Sequence, residues 1–224
     1  MSFYQQVYQN RWEEVELRAV ADVWRVLVQD FFQPLFGYDS KVLDVGCGFS
    51  HFLNNLTAVE KVGVDANPLA TKYANEDVEI HTTDDLSLRM LSDDYFDHVF
   101  ISNFLEHLDS SRDVLALLQR VRELLRPGGT VVILQPNFRL TGAAYFDFID
   151  HRTILTDKGV EEALEIAGFR LDQKIIRFLP YTTKSGMPRH PFFVRLYLRF
   201  RPAWFFMGKQ SLFVASRPAS TRKG

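Results

Sequence analysis

Residues 41–50, KVLDVGCGFS, constrain this chain more than any other stretch. An apolar run of Val42, Leu43 and Val45 carries Asp44 into a tight Gly46-Cys47-Gly48 turn, and residues 49–56 are suited to open a helix directly afterwards. In that order of strand, glycine turn and helix, the first N–H groups of the helix point at one place. The glycines also let a ligand lie directly on the main chain. The turn therefore predicts a cofactor site that uses the backbone of Cys47 and not its thiol.

The rest of the pattern supplies a sheet around that turn. Residues 61–65 read as a second strand ending on Asp65, with Asn67-Pro68 opening a helix, and 78–82 and 95–103 read as the third and fourth strands. An amphipathic helix over 109–125, capped by Pro127-Gly128-Gly129, precedes a β-branched fifth strand at 130–134. A helix over 160–167 then leads to two last strands at 171–179 and 211–216. Strands alternating with helices argue a parallel α/β sheet covered on both faces.

Around this core, residues 1–37 predict an N-terminal helical cap in which Tyr4, Tyr8, Arg11 and Trp12 are candidates for a lid. The main domain spans 38–218, with a turn-rich insertion at 138–156, and 219–224 is a loose tail. With 224 residues, 46% of them hydrophobic, the chain can bury a core without staples. Its single cysteine excludes an intrachain disulfide and a cysteine metal cluster. The N-terminus lacks the basic-then-apolar order of a signal peptide, and no uncharged apolar run approaches the roughly 20 residues of a membrane span, so a cytoplasmic protein is expected.

Charge is divided unevenly. All 28 acids lie in residues 1–172, whereas 173–224 hold 11 of the 26 basic residues and no acid. Such a split marks either an anionic partner or a basic segment packed beside an acidic body.

Two nucleotide-like ligands compete for the glycine turn. A dinucleotide prefers a third glycine for close helix packing, but His51 fills that position. A carboxylate two residues before the first glycine, roughly 6 Å from a phosphate, also costs about 3 kcal/mol at an effective dielectric near 20. Asp44 thus disfavours a pyrophosphate and favours a cation. Asp65, about 20 residues past the turn at the tip of the next strand, is where a nucleoside ribose is held by its hydroxyls.

The ordered set VLDVGCG, VGVDANP, FDHVFISNFLEHL and LLRPGGTVVILQPN resembles the class I S-adenosylmethionine-dependent methyltransferases over about residues 40–140. The resemblance implies a Rossmann-like, seven-stranded, mostly parallel sheet with helices on both faces and an antiparallel last strand, and S-adenosyl-L-methionine as cofactor. It sets Asp44, Gly46, Cys47 and Gly48 around the methionine moiety, Asp65 on the ribose, and Ala66 and Asn67 beside the adenine. Ser102 and Asn103 then line the sulfonium side. The acid that usually touches the adenine amino group has Thr82 at its aligned position, and Asp84 is the candidate reached by a small loop shift.

Methyl transfer from a sulfonium needs positioning and, for a neutral acceptor, a base. The candidates are His107, in Leu105-Glu106-His107-Leu108, and His151, in Asp150-His151-Arg152, where Arg152 is suited to clamp an anion. Related quinone-pathway O-methyltransferases have metal ligands at a comparable Glu-His pair and at a Glu three residues earlier. Asn103 occupies that earlier position, so no metal is expected.

The segment 188–209, PRHPFFVRLYLRFRPAWFFMGK, is the least generic part. Its arginines and aromatics suit either a core-covering helix or an interfacial, anionic-ligand surface with peripheral membrane contact. Similar-looking tails in methyltransferases of glycan and secondary-metabolite gene sets imply a small-molecule, sugar or lipid-linked acceptor. The acidic body and the absence of an Asn-Pro-Pro-Tyr motif argue against nucleic acid, which stays as an alternative acceptor. A non-catalytic binding or scaffold domain of the same fold is the competing class, supported by Thr82.

Overall fold

A computed structural model of the chain describes residues 14–181 and 190–219. The lid candidates Tyr4, Tyr8, Arg11 and Trp12 lie outside the described residues, as do 220–224 of the tail. The seven strands form one sheet in the order β3-β2-β1-β4-β5-β7-β6, the α/β arrangement that the alternating pattern predicts. By its contacts the chain divides into two units, residues 1–84 with 182–206 and residues 85–181 with 207–224.

The first unit begins with α1 (Glu14–Leu27), continues through a π-helical turn (Val28–Phe32) and closes with α2 (Gln33–Phe36). Leu17, Val20, Val23, Val26 and Leu27 recur at three-to-four spacing and are buried, which is why this amphipathic run is a helix. Gln33 fastens its end: its amide nitrogen donates to Thr57 O at 2.9 Å, and its amide oxygen accepts from Thr57 N at 2.8 Å.

Beyond α2 come β1 (Lys41–Val45), α3 (His51–Asn55), β2 (Glu60–Asp65), α4 (Leu69–Tyr73) and β3 (Glu79–Thr82). The three strands are parallel, with Asp44 opposite Gly63 and Asp65 opposite Thr82. The strand interiors of β1 and β2 are buried on both faces, which accounts for their continuous apolar runs.

The second unit holds β4 (Phe96–Ser102), α5 (Ser111–Leu124), β5 (Leu125–Pro136), α6 (Phe138–Thr141), α7 (Asp157–Ile166) and β6 (Arg170–Ile175). Strand β4 pairs parallel with β5. After α8 (Pro191–Arg199) and α9 (Pro202–Met207), β7 (Gln210–Ser216) pairs antiparallel with both β5 and β6. Ser110 caps α5 by accepting from Asp113 N, and Thr156 caps α7 by accepting from Gly159 N.

One element differs from its sequence reading. Pro127-Gly128-Gly129 does not separate α5 from the fifth strand. The helix ends at Leu124, Leu125 already pairs with Phe96, and the ladder resumes at Thr130 opposite His98. The proline and glycines form an irregularity inside a 12-residue strand. Gly129 is needed there because a Cβ would meet two main-chain oxygens, Arg126 O and Asp97 O, at 2.9 Å each. Gly129→Ala is expected to destabilise the fold by about 2–3 kcal/mol, read as a lower urea midpoint. An unchanged midpoint would show that the ladder yields freely at this point.

Candidate functional site

The turn after β1 is held from beneath by β2. Gly46 N and Cys47 N both donate to Val64 O, at 2.8 and 3.2 Å. Gly48 N donates to one carboxylate oxygen of Asp65, and Asn67 N to the other, each at 2.7 Å. Gly46 and Gly48 have φ of 75° and 54°, a region where a side chain is strained, so glycine is needed at both. The side chain of Asp65 thus clamps the turn as well as standing at the tip of its strand. A carboxylate presents about four acceptor positions, so clamping the turn and accepting from a ribose are compatible.

Electrostatics at this turn favour a cationic guest. Asp44 is buried, and burial together with the nearby charge of Asp65 holds its carboxyl well above the ordinary aspartate range. Burial, with Asp44 and Asp65 adding to it, also pushes the Cys47 thiol up, which keeps it protonated and unreactive. Two acids sharing a buried site are costly until a positive group enters.

Polar groups here also lack partners. Asn67 Nδ2 and His51 Nε2 are buried with no hydrogen-bond partner among the described residues, a condition that a polar ligand relieves. Burial lowers the pKa of His51 to about 4, so its imidazole is neutral near neutral pH. Gly46, Cys47, Gly48, Asp44, Asp65 and Asn67 therefore gather in one unit. The donor set, two carboxyls with backbone N–H groups and orphaned side-chain atoms, fits a ligand that carries cationic, hydroxyl and heterocyclic parts. His51 was legible in the sequence only as a missing glycine.

The other predicted cofactor residues are placed as follows. Ala66 is half-buried between Asp65 and Asn67, whereas Asp84 is exposed two residues past the end of β3. In the second unit, Ser102 ends β4 and Asn103 follows it with φ of 48°. Asn103 N donates to Leu134 O at 2.9 Å, and its amide donates to Ser102 Oγ at 3.0 Å.

The second unit also brings together the two histidine candidates. Main-chain bonds run from Arg152 N (2.8 Å) and Thr153 N (3.1 Å) to Glu106 O, and Thr153 Oγ1 donates to Leu108 O at 2.6 Å. Arg152 is ion-paired with Asp109, so it joins the two segments and is not a lone anion clamp. His107 and His151 consequently lie edge to face, their ring centroids 5.1 Å apart.

His107 Nδ1 lies 3.0 Å from Asp150 O and 3.4 Å from the Asp150 carboxylate. A carbonyl only accepts, so Nδ1 carries the proton and Nε2 is the acceptor in the neutral ring. His151 is enclosed by the rings of Tyr145 at 4.9 Å and Phe148 at 5.1 Å, and its Nδ1 lies 3.5 Å from the Tyr181 hydroxyl. Glu106 is buried and accepts from Gln135 Nε2 at 3.0 Å. Burial raises its pKa, an effect opposed by His107. Gln135, Tyr145 and Tyr181 were not among the sequence candidates, and Glu106 and Asp150 entered only as neighbours of the two histidines, because their contacts run to residues tens of positions away.

Glu106, His107 and His151 place one donor atom each within 4.8 Å of one another, so three donors for a divalent cation do exist. The third is His151, not the position of Asn103 on which the sequence argument turned. His151 Nε2 and Glu106 Oε1 are 3.9 Å apart. Ligands about 2.1 Å from a shared ion lie closer together, roughly 3–3.5 Å, so the trio would contract around a metal.

Comparison with known proteins follows this geometry. A family model described as "Methyltransferase domain" matches residues 16–174. No curated protein matches the sequence significantly. Among solved structures, a SAM-dependent methyltransferase from Archaeoglobus fulgidus aligns with a TM-score of 0.63 at 20% identity, over 88% of this chain and 94% of that one. An S-adenosylmethionine-dependent methyltransferase from Mesorhizobium loti aligns with a TM-score of 0.61 at 18% identity, over 85% and 97%. The [4+2]-cyclase SpnF aligns with a TM-score of 0.63 at 18% identity, over 89% and 81%. At these identities the likeness establishes the fold.

The raised pKa of Asp44 has a consequence for the ligand-free protein. In the folded chain this group keeps its proton to higher pH than in the unfolded chain, so its contribution is intact in acid and is lost as pH rises through the raised value. Asp44→Asn removes that loss. The variant is expected to melt higher than wild type, by about 2–4 °C per kcal/mol recovered, with a gap that opens as pH rises. A gap independent of pH would contradict the assignment.

Proposed function

The chain belongs to the methyltransferase domain family, and from that premise we propose that it transfers a methyl group from S-adenosyl-L-methionine to a small-molecule, sugar or lipid-linked acceptor. The coarser statement, a SAM-dependent methyltransferase of Rossmann-like fold, follows from the family match. The observation that carries the cofactor assignment is the buried Asp44 beside Asp65 at a backbone-lined turn.

Asp44 and the Gly46-Cys47-Gly48 backbone are suited to the methionine end, where the ammonium and sulfonium offset the buried acids. Asp65 is suited to the ribose, Ala66 and Asn67 to the adenine side, and Ser102 and Asn103 to the sulfonium side. Asp84 remains the candidate for the adenine amino group. S-Adenosylmethionine supplies an already activated methyl group, so the chain's task is to bind, orient and remove a proton.

For that proton His107 is the better supported base. Its Nδ1–H is held by the Asp150 carbonyl, with the Asp150 carboxylate beside it to stabilise the imidazolium, which leaves Nε2 as the accepting atom. His151, the other sequence candidate, is wrapped by aromatic rings and packed towards Glu106, and supports a positioning role. Burial raises the Tyr145 pKa, so its hydroxyl stays protonated and donates to Thr153 O at 2.7 Å.

Calorimetry with S-adenosylhomocysteine tests the cofactor assignment. Binding by wild type, weakened tenfold or more by Asp44→Asn, is expected from loss of a charge-assisted contact of about 1.5–3 kcal/mol. No binding at millimolar ligand would end the proposal. Once a tritiated-methyl screen has found an acceptor, His107→Gln is expected to lower kcat by 10²–10⁴, roughly the range for a general base, with S-adenosylhomocysteine affinity retained. Unchanged kcat would remove His107 from the mechanism.

A further inference from the structure

Helix α8 is apolar on both sides. Val194, Tyr197 and Leu198 are buried, and the helix packs on α1. Its other side carries Phe192, Phe193 and Leu196, which at about 100° per residue fall within one arc of roughly 100°, and Phe200 follows the last residue of the helix, also exposed. A short link leads to α9, whose Trp204 turns inward, its Nε1–H donating to Tyr197 O at 2.9 Å. That anchor leaves Phe205 and Phe206 outward. These six residues are between 44% and 78% exposed. Scattered exposed apolar residues are ordinary, but six large ones on two consecutive helices and the link between them are not.

Charge decides what covers them. Arg199 and Arg201 are exposed beside this face, and Arg201 lies over the Trp204 ring at 5.7 Å. Asp22 and Asp30 in the neighbouring α1 and π-helical segments are each paired with an arginine, Arg25 and Arg195. Residues 173–224 contain no acid at all. Aromatic side chains with arginines at their margin, for which no ion pair is seen among the described residues, match an apolar boundary topped by negative charge.

We propose that α8 and α9 dock the enzyme on an anionic lipid surface, seating Phe192, Phe193, Leu196, Phe200, Phe205 and Phe206 at the headgroup boundary while Arg199 and Arg201 engage lipid phosphates. The contact lies in the plane of the interface. No described helix is long and apolar enough to cross a membrane. Docking is independent of the acceptor, so it stands or falls apart from the methyl-transfer assignment.

The test is co-sedimentation of the full chain with phosphatidylcholine vesicles, with and without about 30% phosphatidylglycerol, across a salt series. Wild type is expected to bind the anionic vesicles and to be released by salt. Phe205→Ser/Phe206→Ser is expected to lose tenfold or more of the partition, and Arg199→Glu/Arg201→Glu to lose its preference for anionic over neutral vesicles. All four positions are exposed, and circular dichroism with S-adenosylhomocysteine binding verifies that the variants fold. Absence of wild-type binding, or equal binding by both variants, overturns the proposal. So does a wild-type dimer in sedimentation that Phe205→Ser/Phe206→Ser dissolves, since the face then belongs to a second copy.

Discussion

The turns that follow β1 and β2 are joined through one carboxylate. Asp65 takes an N–H from Gly48 with one oxygen and an N–H from Asn67 with the other, so the turn after β1 and the turn after β2 share one anchor. Two bonds of this charge-assisted kind are worth more than neutral ones and are directional. The bond to Gly48 N accompanies a left-handed backbone at that glycine, whereas Gly46 N, with Cys47 N, is held by Val64 O.

The cost of this arrangement lies in Asp44. A second buried acid beside the first is unfavourable, and burial with the charge of Asp65 raises its pKa. Sites that bind a specific charge commonly hold such strain until the ligand arrives, because a group satisfied in advance has nothing left to offer. A neutral or anionic guest gains nothing from two such acids. These two buried acids are what supports, in the proposed function, a cation-bearing nucleoside over a dinucleotide.

The histidine cluster of the second unit is organised differently, by a stitched crossing of two segments. The Glu106 carbonyl receives two N–H groups from Arg152 and Thr153, and that pair of bonds brings Asp150 and His151 to His107. Around them Tyr145, Phe148 and Tyr181 form an aromatic wall, and Gln135 on β5 orients the buried Glu106. The polarity here is internal, and Gln135 Oε1 is buried with no hydrogen-bond partner among the described residues.

The strand, the glycine turn and the acid at the tip of β2 were legible in the sequence because their spacing is local. Alternation, glycine φ requirements and the distance from turn to strand tip are all set within about 25 residues. The antiparallel end of the sheet, which entered as an expectation from resemblance, is present as β7 pairs with β5 and β6. Tertiary structure alone decided three matters. It absorbed Pro127-Gly128-Gly129 into β5, since Leu125 finds a ladder partner in Phe96. It supplied Glu106 and Asp150 as companions to the two histidines, since their segments meet through long-range main-chain bonds. It also showed which side of α8 is covered, since both sides are apolar and periodicity alone cannot choose between them. Short-range spacing is a property of the chain, whereas burial and partnership depend on what else the fold brings near.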